Sequence, residues 1–80
     1  MNKLYSVLLV DDDKFLIGMY QKKFEKYGVK AEMCVGSEVA LNRLREGTKF
    51  DIIVLDIIMP GMDGIELLKK IREEKLAEGA

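Results

Sequence analysis

The sequence has no histidine, one cysteine and no surplus of charge: thirteen basic residues stand against fourteen acidic ones, net −1 over 80 residues. Without histidine, zinc or haem ligation and imidazole acid–base chemistry are all but excluded. A lone cysteine, Cys34, cannot close an internal disulfide, which suits a reducing compartment and predicts a cytoplasmic protein. The even charge balance argues against a general polyanion binder, so direct nucleic-acid contact is not expected. Long apolar runs are also missing. Ile52-Ile53-Val54-Leu55 is far below a membrane span, and Tyr5 to Val10 runs straight into Asp11-Asp12-Asp13, unlike a signal peptide. No linker, low-complexity stretch or strong internal repeat interrupts the chain.

What is present is a small soluble domain. Hydrophobic residues at 49% exclude a disordered tail, and charged residues at 34% exclude a membrane-embedded chain. A chain of this size buries roughly 60% of its unfolded surface, and such a core alone seldom supplies more than about 3–5 kcal/mol.

Ser6 to Val10 and Ile52 to Leu55 are rich in Val, Ile and Leu without alternation, as in parallel strands covered on both faces. Ala31 to Val35 alternates partly and reads as an edge strand. Between them lie helical periods. Lys14 to Tyr27 places Leu16, Met19, Tyr20, Phe24 and Tyr27 on one expected inward face, with Gly28 at the C-terminus. A second helix starts at Ser37 as N-cap, turns Ala40, Leu41 and Leu44 inward, and stops at Gly47. A third starts at Asp63, with Glu66 three residues on in a pattern like a capping box. Its expected inward positions are Ile65, Leu68 and Ile71, with Leu67 a further candidate, and it closes through Glu73, Glu74 and Lys75 toward Gly79. Three strand–helix units predict a parallel α/β sheet with right-handed crossovers.

In such a sheet, ligands bind outside the carboxyl ends of the strands. Asp11 and Asp12 follow the first strand and Asp56 follows the third, so three carboxylates are expected at one rim. Two of them ~4 Å apart repel by about 4 kcal/mol at an effective dielectric near 20. A hard divalent cation with oxygen ligands, Mg²⁺ above all, removes that repulsion. A carboxylate beside it can attack phosphorus and carry an acyl phosphate. The plainer alternative is that these aspartates are helix caps or a solvated turn; joint placement after two apolar strands favours the metal site.

The runs Val7-Leu8-Leu9-Val10-Asp11-Asp12-Asp13 and Phe50-Asp51-Ile52-Ile53-Val54-Leu55-Asp56-Ile57-Ile58-Met59-Pro60-Gly61-Met62-Asp63-Gly64 strongly resemble the receiver domain of two-component response regulators. The resemblance spans the whole chain, read as residues 1–80 of the N-terminal portion of such a domain. It implies a flavodoxin-like (CheY-like) fold, here a partial (βα)3 sheet of strand order 2-1-3. It implies that Asp56 is the phosphoacceptor, that Asp11 and Asp12 form the Mg²⁺-binding acidic pair, and that the backbone carbonyl of Ile58 is a further ligand. Asp12 matches the direct ligand, Asp11 one that often acts through water, and Asp13 a less essential acidic position. Pro60 and Gly64 would shape the loop presenting Asp56, and Asp63 is read as a cap. The implied partner is a sensor histidine kinase or phosphotransfer protein. No enzyme is implied beyond Mg²⁺-dependent self-phosphorylation and dephosphorylation.

The chain also departs from the family pattern. The fourth-strand hydroxyl and fifth-strand lysine have no counterpart; Thr48 lies at the opposite rim, Ser37 beyond an intervening strand, and Lys14 in the first helical turn toward solvent. With order 2-1-3 the apolar third strand becomes an unprotected edge, an aggregation template unless paired. The expectation is a fragment or engineered block that closes this edge as a homodimer, β-strand to β-strand about a two-fold axis. The competing function is accordingly a non-switching dimerisation or scaffold unit. Phe15 and Ile17, off the expected inward stripe, are candidates for contact with a phosphodonor protein. Lys22, Lys23, Lys26 and Lys30 read as a solvated basic face, Met59 and Met62 as packing beneath the loop, and Cys34 as structural.

Overall fold

The computed structural model describes residues 5–80. Three strands, β1 (Ser6–Asp11), β2 (Lys30–Val35) and β3 (Ile52–Leu55), alternate with α1 (Lys14–Lys26), α2 (Ser37–Arg45) and α3 (Gly64–Glu73). The strands form one parallel sheet in the order β2-β1-β3. Because right-handed crossovers leave β1 in both directions, α1 goes to one face and α2 and α3 to the other. Val10 pairs with both Cys34 and Leu55, so the carboxyl ends of all three strands lie at one rim. The ladder continues one step further, with the Asp56 N–H donating to the Val10 carbonyl and the Gly36 N–H to the Asp11 carbonyl, each at 3.0 Å.

β1 is buried along nearly its whole length, as its unbroken apolar run requires. On one face Leu8, Val10 and Cys34 pack with Ala40, Leu41 and Leu44 of α2 and Leu67 and Ile71 of α3. Each large aliphatic side chain buried in this way contributes about 1.5–3 kcal/mol. Side-chain alternation sends Val7 and Leu9 to the other face, under α1. Among the described residues β3 pairs only with β1, as the order 2-1-3 implies, but its faces are less covered than its apolar run predicts: Ile52 and Val54 are 45% and 41% exposed.

Two helices turn a different stripe inward from the one their periodicity predicts. In α1 the buried side chain is Ile17, whereas Leu16, Met19, Tyr20 and Tyr27 are exposed and Phe24 is half-buried. The apolar residues of α1 surround most of the helix, and the β1–β2 face beneath it accommodates only a narrow stripe. In α3 Leu67 and Ile71 are buried, while Ile65 and Leu68 stay exposed. The α2 N-cap is Gly36, in a left-handed conformation (φ 94°), rather than Ser37, whose hydroxyl is engaged elsewhere. α3 stops at Glu73 and not further on. Its end is a Schellman turn: the Lys75 N–H donates to the Arg72 carbonyl and the Leu76 N–H to the Ile71 carbonyl, with Lys75 at φ 55°. Among the described residues no helix is long and apolar enough to cross a membrane.

Candidate functional site

Asp11 is the last residue of β1 and is buried; its carboxylate accepts the Asp13 N–H at 3.0 Å, which fixes the turn out of the strand. Asp12 points into solvent. Asp13 is committed to the helix, its Oδ1 accepting from the N–H groups of Phe15 (2.9 Å) and Leu16 (3.2 Å) as the α1 N-cap. This separates Asp13 from its neighbours, as the plainer reading of an aspartate after a strand would have it. Asp56 follows β3 and is half-buried. One carboxylate oxygen from each of Asp11, Asp12 and Asp56 lies within 4.8 Å of the other two.

That grouping is electrostatically costly. Ionised pairs at such distances repel by on the order of 3 kcal/mol at an effective dielectric of about 20, less where water screens exposed Asp12. Among the described residues, neither lysine nor arginine forms an ion pair with any of the three; the ion pairs join Arg43 to Glu32 and Glu46, and Arg45 to Glu74. An all-oxygen donor set of concentrated negative charge with no protein counter-ion fits a hard divalent cation of the Mg²⁺ class.

The loop from residue 57 to 63 completes the surroundings. The Ile58 N–H approaches Asp56 Oδ1 at 3.4 Å, and the Ile58 side chain is 85% exposed. Met59 is buried beneath the loop in the core and Met62 packs against it, as their apolar character predicts. Asp63 caps α3, its Oδ1 accepting the Glu66 N–H at 2.8 Å. Gly64 donates its N–H to the Ile57 carbonyl at 2.9 Å, and a β-carbon there would stand 2.2 Å from the Asp56 carbonyl oxygen. Gly64 therefore shapes the loop by leaving room for it. Pro60 precedes Gly61, whose φ of 74° makes a tight turn available only at low cost to glycine. Sequence reasoning named Ser37 as an N-cap and set its hydroxyl aside as beyond an intervening strand, but missed its partner: the hydroxyl donates to the Met62 carbonyl at 2.6 Å. The signal available was the glycine before it, which takes over the cap position and leaves the hydroxyl free.

The remaining candidates fall away from the rim. Thr48 is bonded by the Arg43 guanidinium, which also grips Glu32 in bidentate fashion at 2.5 and 3.0 Å. Lys14 and the lysines at 22, 23, 26 and 30 are exposed, with Lys26 over the Tyr27 ring. Phe15 is exposed, but Ile17 is in the core and is no surface contact. Cys34 is 2% exposed, and burial, reinforced by the Glu32 charge, pushes its thiol pKa up, which makes it inert. A cavity of about 360 Å³ lies between β3 and α3, lined by Ile53, Leu55, Leu68 and Ile71, away from the carboxylates. Within the acidic cluster Asp12 is exposed, Asp56 half-buried and Asp11 buried.

Residues 7–78 match the response regulator receiver domain family. The alkaline phosphatase synthesis transcriptional regulatory protein PhoP of Bacillus subtilis is 38% identical over 76 residues, covering 95% of this chain and 30% of that protein. Probable histidine kinase 4 of Oryza sativa is 39% identical over 67 residues, 84% of this chain and 7% of its own length. Among solved structures, response regulator TrrA of Thermotoga maritima, in complex with Mg²⁺–BeF, superposes with a TM-score of 0.79 at 29% identity, covering 90% of this chain and 62% of that one. The chain spans under a third of the length of the curated relatives named here.

Proposed function

The chain belongs to the response regulator receiver domain family, a module of two-component signalling, and on that premise we propose that Asp56 is its phosphoacceptor. The observation that carries this reading is the convergence of one carboxylate oxygen each from Asp11, Asp12 and Asp56 within 4.8 Å although Asp12 and Asp56 stand 44 positions apart in the sequence. Asp56 projects from the end of a strand onto an open rim, where a carboxylate oxygen can approach phosphorus. The new O–P bond forms as the donor's P–N bond to histidine, or P–O bond to a small acyl phosphate, breaks and the leaving group departs with its electron pair. The product is an aspartyl phosphate, and the donor is a histidine kinase, a phosphotransfer protein or a small phosphodonor.

Asp11, Asp12 and the backbone carbonyl of Ile58 are the groups that would hold Mg²⁺ with Asp56. When bound, that ion supplies the positive charge that lets a carboxylate meet a phosphoryl group. Support comes from the donor set itself and from the Thermotoga relative, which is in complex with Mg²⁺–BeF. The transfer is stoichiometric, a modification of the chain rather than turnover of a substrate. Intact-mass measurement after incubation with acetyl phosphate and Mg²⁺ tests it: one phosphoryl group is expected on the wild-type chain and none on Asp56→Asn. An equal adduct on both would remove the assignment.

The open edge of β3 supports a further proposal about assembly. Its outer N–H and C=O groups have no strand partner among the described residues, and Ile52 and Val54 are exposed beside them. A second copy adding its own β3 in antiparallel fashion would join the two sheets and cover this edge. Sedimentation at micromolar concentration is expected to give a dimer, and a monomer there would rule this pairing out.

A further inference from the structure

We propose that Ser37 is a positioning residue for the phosphoacceptor, a latch through which the start of α2 holds the loop that follows Asp56. This rests on the reading of Asp56 given above. Ser37 is 6% exposed, and its hydroxyl donates to the Met62 carbonyl at 2.6 Å across 25 residues of sequence. The loop's other hydrogen bonds are local: Ile58 to Asp56 at 3.4 Å, and Gly64 to Ile57 at 2.9 Å. Among the described residues, Ser37 is the one hydrogen-bond donor that reaches residues 57–62 from outside the β3–α3 stretch.

The hydroxyl is free for this because it has no helix-capping duty. Gly36 occupies the N-cap and makes no side-chain cap bond, so the first hydroxyl of α2 turns to the neighbouring loop. The same Gly36 donates its N–H to the Asp11 carbonyl at 3.0 Å. The loop is therefore indexed to the acidic pair through two consecutive residues, Gly36 to Asp11 and Ser37 to Met62. The half-buried Met62 carbonyl loses its protein donor when the hydroxyl is removed, and the loop's compensation is to move. Such movement carries with it Ile58, the neighbour that donates to the Asp56 carboxylate.

The test compares wild type with Ser37→Ala and Ser37→Thr. Amide exchange of Ile58 and Gly64, the loop N–H groups that hold hydrogen bonds, measured by NMR without any phosphodonor, is expected to quicken about tenfold in Ser37→Ala, as loss of the Met62 carbonyl's donor implies. The amides of β1 and α2 should follow only the change in global stability. At a temperature where all variants are folded, with saturating Mg²⁺ and acetyl phosphate, aspartyl-phosphate formation in Ser37→Ala should slow about tenfold, with recovery in Ser37→Thr. A purely structural role would lower the melting temperature and leave this rate unchanged, and that result overturns the proposal. Unchanged exchange at these two loop amides overturns it equally. A wild-type chain that takes no phosphoryl group would overturn the phosphoacceptor reading itself, an outcome distinct from failure of the latch, which the exchange measurement reads alone.

Discussion

Gly64 lies so close to Asp56 that a β-carbon on it would stand 2.2 Å from the Asp56 carbonyl oxygen and 2.9 Å from the Ile57 α-carbon. Both obstacles are backbone, so neither can swing aside. The requirement is space and not a left-handed φ, because Gly64 is absent from the positive-φ glycines. Gly64→Ala must displace the start of α3 from the turn after β3, at about 1–3 kcal/mol as for other overpacked sites. Thermal unfolding should show that loss. Aspartyl-phosphate formation in the folded variant should fall more steeply than for substitution of an exposed helical residue such as Lys69.

The strands and the acids were legible in the chain because both follow from local chemistry. An uninterrupted Val/Leu run can be satisfied only by cover on two faces, and β1 has it; Asp11 and Asp56 then fall at one rim because parallel strands end together. The helix faces were less legible. α1 carries Phe15, Leu16, Ile17, Met19 and Tyr20 almost consecutively, so several stripes fit a helical period, and only the sheet's position selects Ile17. In α3 the choice among Ile65, Leu67, Leu68 and Ile71 had the same degeneracy. Ser37 was read as a cap because serine before a helix usually is one; its partner, Met62, is remote in sequence and becomes its neighbour only after folding.

Lys75 occupies the position of the Schellman turn at which glycine is favoured, with φ 55°. A side chain in that conformation costs roughly 1–2 kcal/mol, part of which glycine returns through its looser unfolded chain. Lys75→Gly is therefore expected to stabilise by about 0.5–1 kcal/mol. Denaturant unfolding should show a raised midpoint at unchanged slope, and a lowered midpoint would contradict the geometry.

Cys34 pairs in register with Val10 and is 2% exposed. Burial first, and the Glu32 carboxylate second, raise its thiol pKa, with Arg43 opposing. A low thiolate fraction and no access make its labelling depend on unfolding. A disulfide reagent at mildly alkaline pH should modify the native chain at the global opening rate and the denatured chain at once. Rapid labelling of folded protein would show that β2 opens by itself.

The Arg45 guanidinium grips Glu74 at 2.8 and 2.6 Å, tying the end of α2 to the cap of α3. Those hydrogen bonds, ahead of the Arg45 and Lys70 charges, hold the Glu74 carboxyl below its ordinary pKa despite some opposing desolvation. A depressed carboxylate contributes stability that is complete above its unfolded pKa, about 4.3–4.5, and is lost as pH falls through the lower folded value. Glu74→Gln should therefore lose this small contribution at neutral pH and converge on wild type as pH falls below about 4.5, which flattens the acid limb of the stability–pH curve. Added salt should shrink the difference, since the pair is exposed.

Asp12 is the exposed member of a cluster whose three carboxylates lie within 4.8 Å, so its charge adds repulsion in the absence of a cation and attraction in its presence. The two effects have opposite signs in one variant. Asp12→Asn should stabilise the metal-free chain by about 1–2 kcal/mol, the screened remainder of the pairwise repulsion. A chain of this size gains about 4–8 °C in melting temperature per kcal/mol. The same variant should lose most of the Mg²⁺-induced rise in melting temperature that wild type is expected to show, because a cation that binds only the folded state stabilises it in proportion to its affinity. Calorimetric melts with EDTA and with millimolar Mg²⁺ measure both quantities on the same samples. A wild-type melting temperature indifferent to Mg²⁺, with no gain in the variant, would mean that water alone relieves the repulsion, and the three acids would then be neighbours without a metal.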